Sequence, residues 1–329
     1  MTKRKLGRQG LEVSAIGLGC MGMSFAYGKA DPAGSLRTLH RALDLGVTHW
    51  DTAEIYGPFT NETLIGKMLL GQRAKVTLAT KFAWRFSEDG TRLGLDGGRA
   101  NLRRAVEGSL KRLETDRIDL YYLHRLDPQT PIEETVGAMA ELVREGKVCH
   151  IGLSEVGPET LRRAHAVHPI SALQSEYSLW ETPPRERMLP VLRELGIGLV
   201  AYSPFGRGFL TGKVPSAETM GRDDIRRTFP RFKKEHAKAN LRLVEEIKKF
   251  AATKQATAPQ LCIAWLLGQG DDIVTIPGTT RVDNLEEDVA AENLKLTPQD
   301  FEAIDRMLDK FRPSGPRLPE GLMRLVDVP

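Results

Sequence analysis

The sequence predicts an α/β fold, a (β/α)8 TIM barrel, and three observations carry that prediction. Eight short apolar runs rich in β-formers recur along the chain. Longer amphipathic stretches with apolar residues at i, i+3 and i+4 separate them. Such alternation implies parallel pairing, because every crossover between parallel strands needs a helix, and eight units is the number that closes a barrel.

The eight runs are VSAIGLG (13–19), THWDTA (48–53), VTLATK (76–81), IDLYYLH (118–124), CHIGLS (149–154), SALQSEYS (171–178), GLVAYSP (198–204) and IVTIPG (273–278). A representative helix is NLRRAVEGSLKRLE, with Leu102, Val106, Leu110 and Leu113 on one face. The first helix should begin at Asp31 and Pro32, an N-cap followed by an N1 proline. Three stretches fall outside the repeat: an N-terminal hairpin over 4–12, a long loop after strand 7 (205–236), and an irregular Pro/Gly-rich tail (313–329). No linker divides the 329 residues, so 1–329 reads as a single domain.

Composition narrows the function classes. Apolar residues make up 41% and charged residues 27%, with a net charge of +4. Lys and Arg are interspersed with acids rather than clustered, so the balance says little about partners, and no nucleic acid is expected. No apolar run approaches the roughly 18 residues of a membrane span, and no apolar segment follows the basic start as in a secretory signal. Cys20, Cys149 and Cys262 form neither a disulfide framework nor a metal-binding spacing. A cytoplasmic location is therefore expected, with no metal. The sequence assigns no oligomeric state.

Gly17, Gly19 and Gly22 spell GxGxxG after an apolar strand. A dinucleotide-binding Rossmann turn would need a helix to start at once, so that its N-terminus meets the pyrophosphate. The next helix signal waits until Asp31, and Asp44, the acid near the expected distance, lies within a helical pattern. The glycines read instead as a turn at the top of strand 1.

Active sites of such barrels form at the C-terminal ends of the strands. Strand 2 ends in Asp51 and is followed by Tyr56, strand 3 ends in Lys81, and strand 4 ends in His124. Each alone has an ordinary structural explanation, but together they converge over one mouth. Hydride transfer to a carbonyl leaves an alkoxide that needs a proton. A Tyr hydroxyl, with an unperturbed pKa of about 10, can donate it. A neighbouring ammonium lowers that pKa, a carboxylate keeps the ammonium charged, and an imidazole can polarise the carbonyl. Tyr56, Lys81, Asp51 and His124 supply these roles.

The wording goes further. GLGCMG (17–22), DTAEIYG (51–57), ATK (79–81), YYLHR (121–125), GLSE (152–155), QSEYS (174–178), AYSPFGRGFLTG (201–212) and IPGTTRVDNLEED (276–288) together resemble the aldo-keto reductases along nearly the full length. The branch includes bacterial and plant members and, more distantly, potassium-channel β subunits. The resemblance implies an NADP(H)-dependent reductase of aldehydes or ketones, with a small-molecule carbonyl substrate. It assigns the catalytic tetrad to Asp51, Tyr56, Lys81 and His124, with Tyr56 as general acid. It implies that Ser154 and Gln174 hold the nicotinamide carboxamide. Glu155 stands where Asn is commonest in the family, so one amide donor is missing. Tyr202 is expected to stack on the ring. Ser203, Pro204, Phe205, Gly206, Gly208 and Leu210 should line the pyrophosphate, with Gly22, Met23 and Asp51 nearby and the following insertion folding over the cofactor. Gly278, Thr279, Thr280 and Arg281, then Asn284, Glu287 and Asp288, should surround the adenosine 2′-phosphate. The NADP(H) preference rests mainly on Arg281.

Met23, Phe25, Trp84, Phe86, Arg125 and Leu322 are candidate substrate contacts. The alternative reading is a nicotinamide-binding regulatory subunit with incidental turnover, which the short stretch before the hairpin disfavours. A Schiff-base lyase using Lys81 is opposed by Asp51 on the neighbouring strand.

Overall fold

The computed structural model describes residues 1–87, 89–214 and 216–327. Residue 215 of the expected insertion and 328–329 of the expected tail lie outside the described residues.

The chain opens with an antiparallel hairpin, β1 (Lys3–Leu6) and β2 (Leu11–Ser14). The barrel follows as β3 (Leu18–Gly19), β4 (His49–Asp51) and β5 (Thr77–Phe82). A second hairpin, β6 (Trp84–Phe86) with β7 (Arg92–Leu95), then interrupts the repeat. The barrel resumes with β8 (Ile118–Leu123), β9 (Val148–Ser154), β10 (Ala172–Glu176), β11 (Gly198–Tyr202) and β12 (Ile273–Ile276). These eight strands pair in parallel in chain order. An Ile16–Thr275 bridge, with Gly17 N–H donating to the Thr275 carbonyl (2.7 Å), closes the ring.

The run 13–19 is not one strand as expected. The Ala15 N–H bonds to Thr2 in the hairpin, and the Gly17 N–H bonds to β12. The chain changes partners between them, because the first half plugs the barrel floor and the second half closes its wall. Leu6, Leu11 and Val13 pack inside the barrel against Ala79, Leu120, Tyr122, Ala172, Val200 and Val274. Removing such side chains from water contributes about 1.5–3 kcal/mol each.

The opposite face of each strand packs on helices. Asp31 caps the helix Pro32–Asp44, accepting from the Gly34 N–H at 2.9 Å, as its sequence predicted. In the helix Arg99–Arg112, Leu102 and Val106 are fully buried but Leu110 is only half-buried, the face being completed by Ala105 and Ser109. The β6–β7 hairpin was not expected, although Asp89 and Gly90 are a familiar turn pair and Gly90 adopts φ +82°. The insertion after β11 winds through short 3-10 turns until the helix Lys234–Thr253. Among the described residues no helix is long and apolar enough to cross a membrane.

Candidate active site

The C-terminal ends of the barrel strands open onto a cavity of about 380 Å3. It runs from Asp51, Tyr56 and His124 past Tyr202 to Thr279, Asn284, Glu287 and Asp288. The strand order brings the expected tetrad together. Asp51 ends β4 and Lys81 lies in β5, with Asp51 paired to Ala79 across the sheet. The Lys81 ammonium is fully buried and forms an ion pair with Asp51. It also donates to the Thr52 carbonyl (2.7 Å) and to the Tyr56 hydroxyl (3.5 Å). The Tyr56 and His124 rings meet edge to face, with centroids 5.9 Å apart.

The electrostatics sort these groups by role. Burial would drive the Lys81 ammonium towards neutrality, but Asp51 outweighs it and raises its pKa, so Lys81 stays charged. Burial raises the Tyr56 hydroxyl above its ordinary value and Lys81 opposes it without winning. The expectation that Lys81 leaves Tyr56 with a lowered pKa is thus corrected: burial wins over Lys81, and Tyr56 is held protonated, the form a proton donor needs. Burial first, then the charges of Arg125 and Lys81, push His124 well below its usual pKa. A neutral imidazole results, and its Nδ1 has no hydrogen-bond partner among the described residues.

Ser154 and Gln174 line the cavity. Gln174 donates to the second Asp51 oxygen (2.8 Å), and Ser154 accepts from Arg125 (3.1 Å). Glu155 does not face the cavity: its carboxylate turns to Arg317 in the C-terminal tail, at 2.7 Å. Tyr202 lies along the wall at the start of the segment Ser203–Gly208. In that segment Ser203 (φ +53°), Gly206 (+53°), Arg207 (+59°) and Gly208 (+92°) are left-handed. For Ser and Arg this conformation is uncommon and costs about 1 kcal/mol or more each. It presents consecutive amides as an anion-binding concavity. The N–H groups of Phe205 and Arg207 have no acceptor among the described residues.

The insertion crosses this groove and is latched to the loop after β3. Tyr27 and Asp224 form an antiparallel bridge, and the Ile225 N–H donates to the Ala26 carbonyl (3.0 Å). Arg226 stacks on Tyr27 (4.6 Å) and donates to the Arg207 carbonyl (3.0 Å).

Several expected residues stand elsewhere. Met23 is buried with Leu18 and Leu39, and Met21 lines the cavity in its place; the short 3-10 turn after Cys20 rotates one inward and the other outward. Leu210 belongs to the core beside Phe209, and Gly206 is covered by Trp180, so neither lines the cavity. Thr280 and Arg281 also lie off the cavity wall. Arg281 is exposed and its guanidinium reaches Asp283 at 3.5 Å. Of the candidate substrate contacts, Arg125 lines the cavity, Trp84 and Phe86 sit in the β6–β7 hairpin, and Phe25 and Leu322 are exposed. Arg207 lines the cavity within the segment expected under the pyrophosphate, while sequence reasoning missed Tyr27, Lys213 and Arg226. Lys213 was within reach, since it follows Gly212 at the end of that motif; Tyr27 and Arg226 are brought to the cavity by the latch.

The residues fit an extended dinucleotide. Free amides and basic side chains occupy the middle of the groove, the acid–base cluster one end, and polar side chains the other. The comparisons with known proteins agree. The chain aligns with a glycerol dehydrogenase from Gluconobacter oxydans at 27% identity, covering 95% of this chain and 97% of that one, with a TM-score of 0.86. It aligns with an aldo-keto reductase from Bacillus halodurans at 28% identity, covering 93% and 96%, with a TM-score of 0.78. A thermostable aldo-keto reductase solved with the inhibitor epalrestat shares 31% identity over 93% of this chain and 100% of its own, with a TM-score of 0.74. Residues 15–309 match the profile of the Aldo/keto reductase family, and with the fold and the cluster on the barrel mouth in agreement, the chain belongs to that family.

Proposed function

We propose that the protein reduces aldehydes or ketones to alcohols using NADPH, with Tyr56 as the proton donor. The observation that carries this reading is the buried Lys81 ammonium between the Asp51 carboxylate and the Tyr56 hydroxyl, at the mouth of the barrel. The bound cofactor supplies the hydride. Ser154 and Gln174 would hold the nicotinamide end, Tyr202 would face its ring, and the amides of Phe205 and Arg207 would take the pyrophosphate.

The chain's own residues do the proton chemistry. His124, neutral, donates a hydrogen bond to the substrate oxygen and orients it. Tyr56, protonated in the resting site, gives its proton to that oxygen as negative charge develops there. The Lys81 charge then stabilises the phenolate, and Asp51 holds Lys81 in place. Closure of the Tyr27–Asp224 latch keeps bulk water from the groove.

The NADP(H) preference rests on Arg281, an exposed side chain paired with Asp283 and able to turn to a 2′-phosphate. Glu287 and Asp288 at the same end would instead accept from a free ribose hydroxyl. The ratio of the two dissociation constants decides between them. The three cysteines are all unpaired, which supports a reducing, cytoplasmic setting.

The test is calorimetric titration with NADPH and NADH, followed by turnover on a panel of aldehydes and ketones. Tight binding with no turnover on any carbonyl would refute the reductase reading.

A further inference from the structure

Behind the cofactor groove lies a buried charge quartet that the reaction does not use. Glu155 follows β9, Glu176 ends β10, Arg207 belongs to the phosphate segment, and Arg317 comes from the C-terminal tail. Both carboxylates are almost fully buried, at 5% and 3% exposure. Arg317 makes two hydrogen bonds to Glu155 (2.7 and 3.2 Å), and Glu155 accepts a third from the Glu176 backbone N–H (2.8 Å). The Glu176 carboxylate sits between two guanidiniums, Arg207 at 3.6 Å and Arg317 at 3.9 Å. Arg207 in turn stacks on Phe229 (4.5 Å). Burial raises the Glu176 carboxyl against the pull of Arg207 and Arg317, while Arg317 holds Glu155 ionised, so removing Arg317 leaves an uncompensated buried charge at Glu155.

We propose that Arg317 is a positioning residue for cofactor binding, fixing the nicotinamide side of the groove through Glu155 and the pyrophosphate side through Glu176 and Arg207. This role rests on the proposed cofactor reading.

The geometry supports a positioning role at both ends. Glu155 is left-handed (φ +56°), a conformation a non-glycine keeps only when its surroundings enforce it. Its anchor is the Arg317 pair, and the residue it follows is Ser154. Burial alone would raise the Glu155 carboxyl, but Arg317 outweighs burial and holds it below the ordinary range, so the pair is ionised. At the other end Arg207 is itself left-handed, and its N–H has no acceptor among the described residues. A separate cavity of about 310 Å3 borders Arg317, Glu155 and Glu176. Close packing therefore does not fix Arg317 on that side, and charge does.

The experiment compares wild type with R317Q, R317K and the double variant R317Q/E155Q. Binding of NADPH and of NADH is measured by calorimetry, kcat and KM with one aldehyde, and the fold by thermal melting. R317Q should weaken both dinucleotides equally, by about tenfold, because both carry the nicotinamide and pyrophosphate that the quartet serves. At saturating cofactor kcat should stay within about threefold, since the tetrad is untouched. R317K should recover part of the loss. The double variant removes the stranded Glu155 charge and so keeps the fold even if R317Q does not; it should still bind weakly, because Glu176, which holds Arg207, has lost its second guanidinium. R162Q, which breaks an exposed pair with Glu194, should change nothing. Wild-type affinity in the folded double variant, or in a folded R317Q, would overturn the proposal. Failure of the wild type to bind either dinucleotide would remove the cofactor reading and this role with it.

Discussion

Replacing Glu54 by Gln should stabilise the protein at pH 8 relative to pH 5. Glu54 lies between Asp51 and Tyr56 in sequence and is fully buried. Neither carboxyl oxygen has a hydrogen bond among the described residues. Its nearest cation is the half-exposed Arg104 at 3.7 Å. Burial pushes its pKa up to about 7, with Arg104 opposing and Glu62 adding to the rise. The folded pKa is thus above the ordinary 4.5, and the fold binds the proton more tightly than the unfolded chain does. That contribution is fully present below about pH 4.5 and is lost as pH rises through about 7. The whole gap is worth about 3 kcal/mol, of which about 2–3 kcal/mol falls between pH 5 and pH 8. Other titrating groups cancel when wild type and E54Q are compared at each pH. Urea unfolding of both proteins at pH 5 and pH 8 measures the term. E54Q should gain about 2–3 kcal/mol on wild type between the two conditions. Parallel stabilities would show that Glu54 is ionised and satisfied in the fold, and the reasoning from its unpartnered oxygens would fail.

Tyr56→Phe should cut kcat below about a tenth of wild type while leaving NADPH affinity nearly intact, because the lost proton donor acts in the transition state. Retention of more than that in steady-state assays would remove Tyr56 from the role. Lys81→Met should also abolish most activity through kcat, since a phenolate on Tyr56 would lose its stabilising charge; a change confined to KM would contradict that assignment. Arg281→Ala should weaken NADPH by roughly ten- to a hundredfold and barely affect NADH, as measured by calorimetry at low salt. Equal losses, or none, would place recognition of the 2′-phosphate elsewhere.

The barrel and the heart of its site were written locally. The barrel strands showed themselves as short apolar runs bounded by turn residues, and the helices between them by a 3.6-residue period, signals that depend only on neighbours a few positions away. Strand ends then placed Asp51, Lys81 and His124 on one rim, because parallel strands in chain order bring successive C-terminal ends together. Tertiary structure alone decided the rest. It split the run 13–19 between the hairpin and the barrel wall, and it turned Met21 rather than Met23 inward. It laid Arg226 over Tyr27 and brought Arg317 to Glu155, 162 residues away. It also pointed Arg281 at Asp283. Such contacts join distant segments through loops whose paths follow from packing and charge, not from any repeating pattern. The same separation explains Glu155: in sequence it is an acid in place of an amide donor, and only the returning tail shows that the acid has a buried cation to hold.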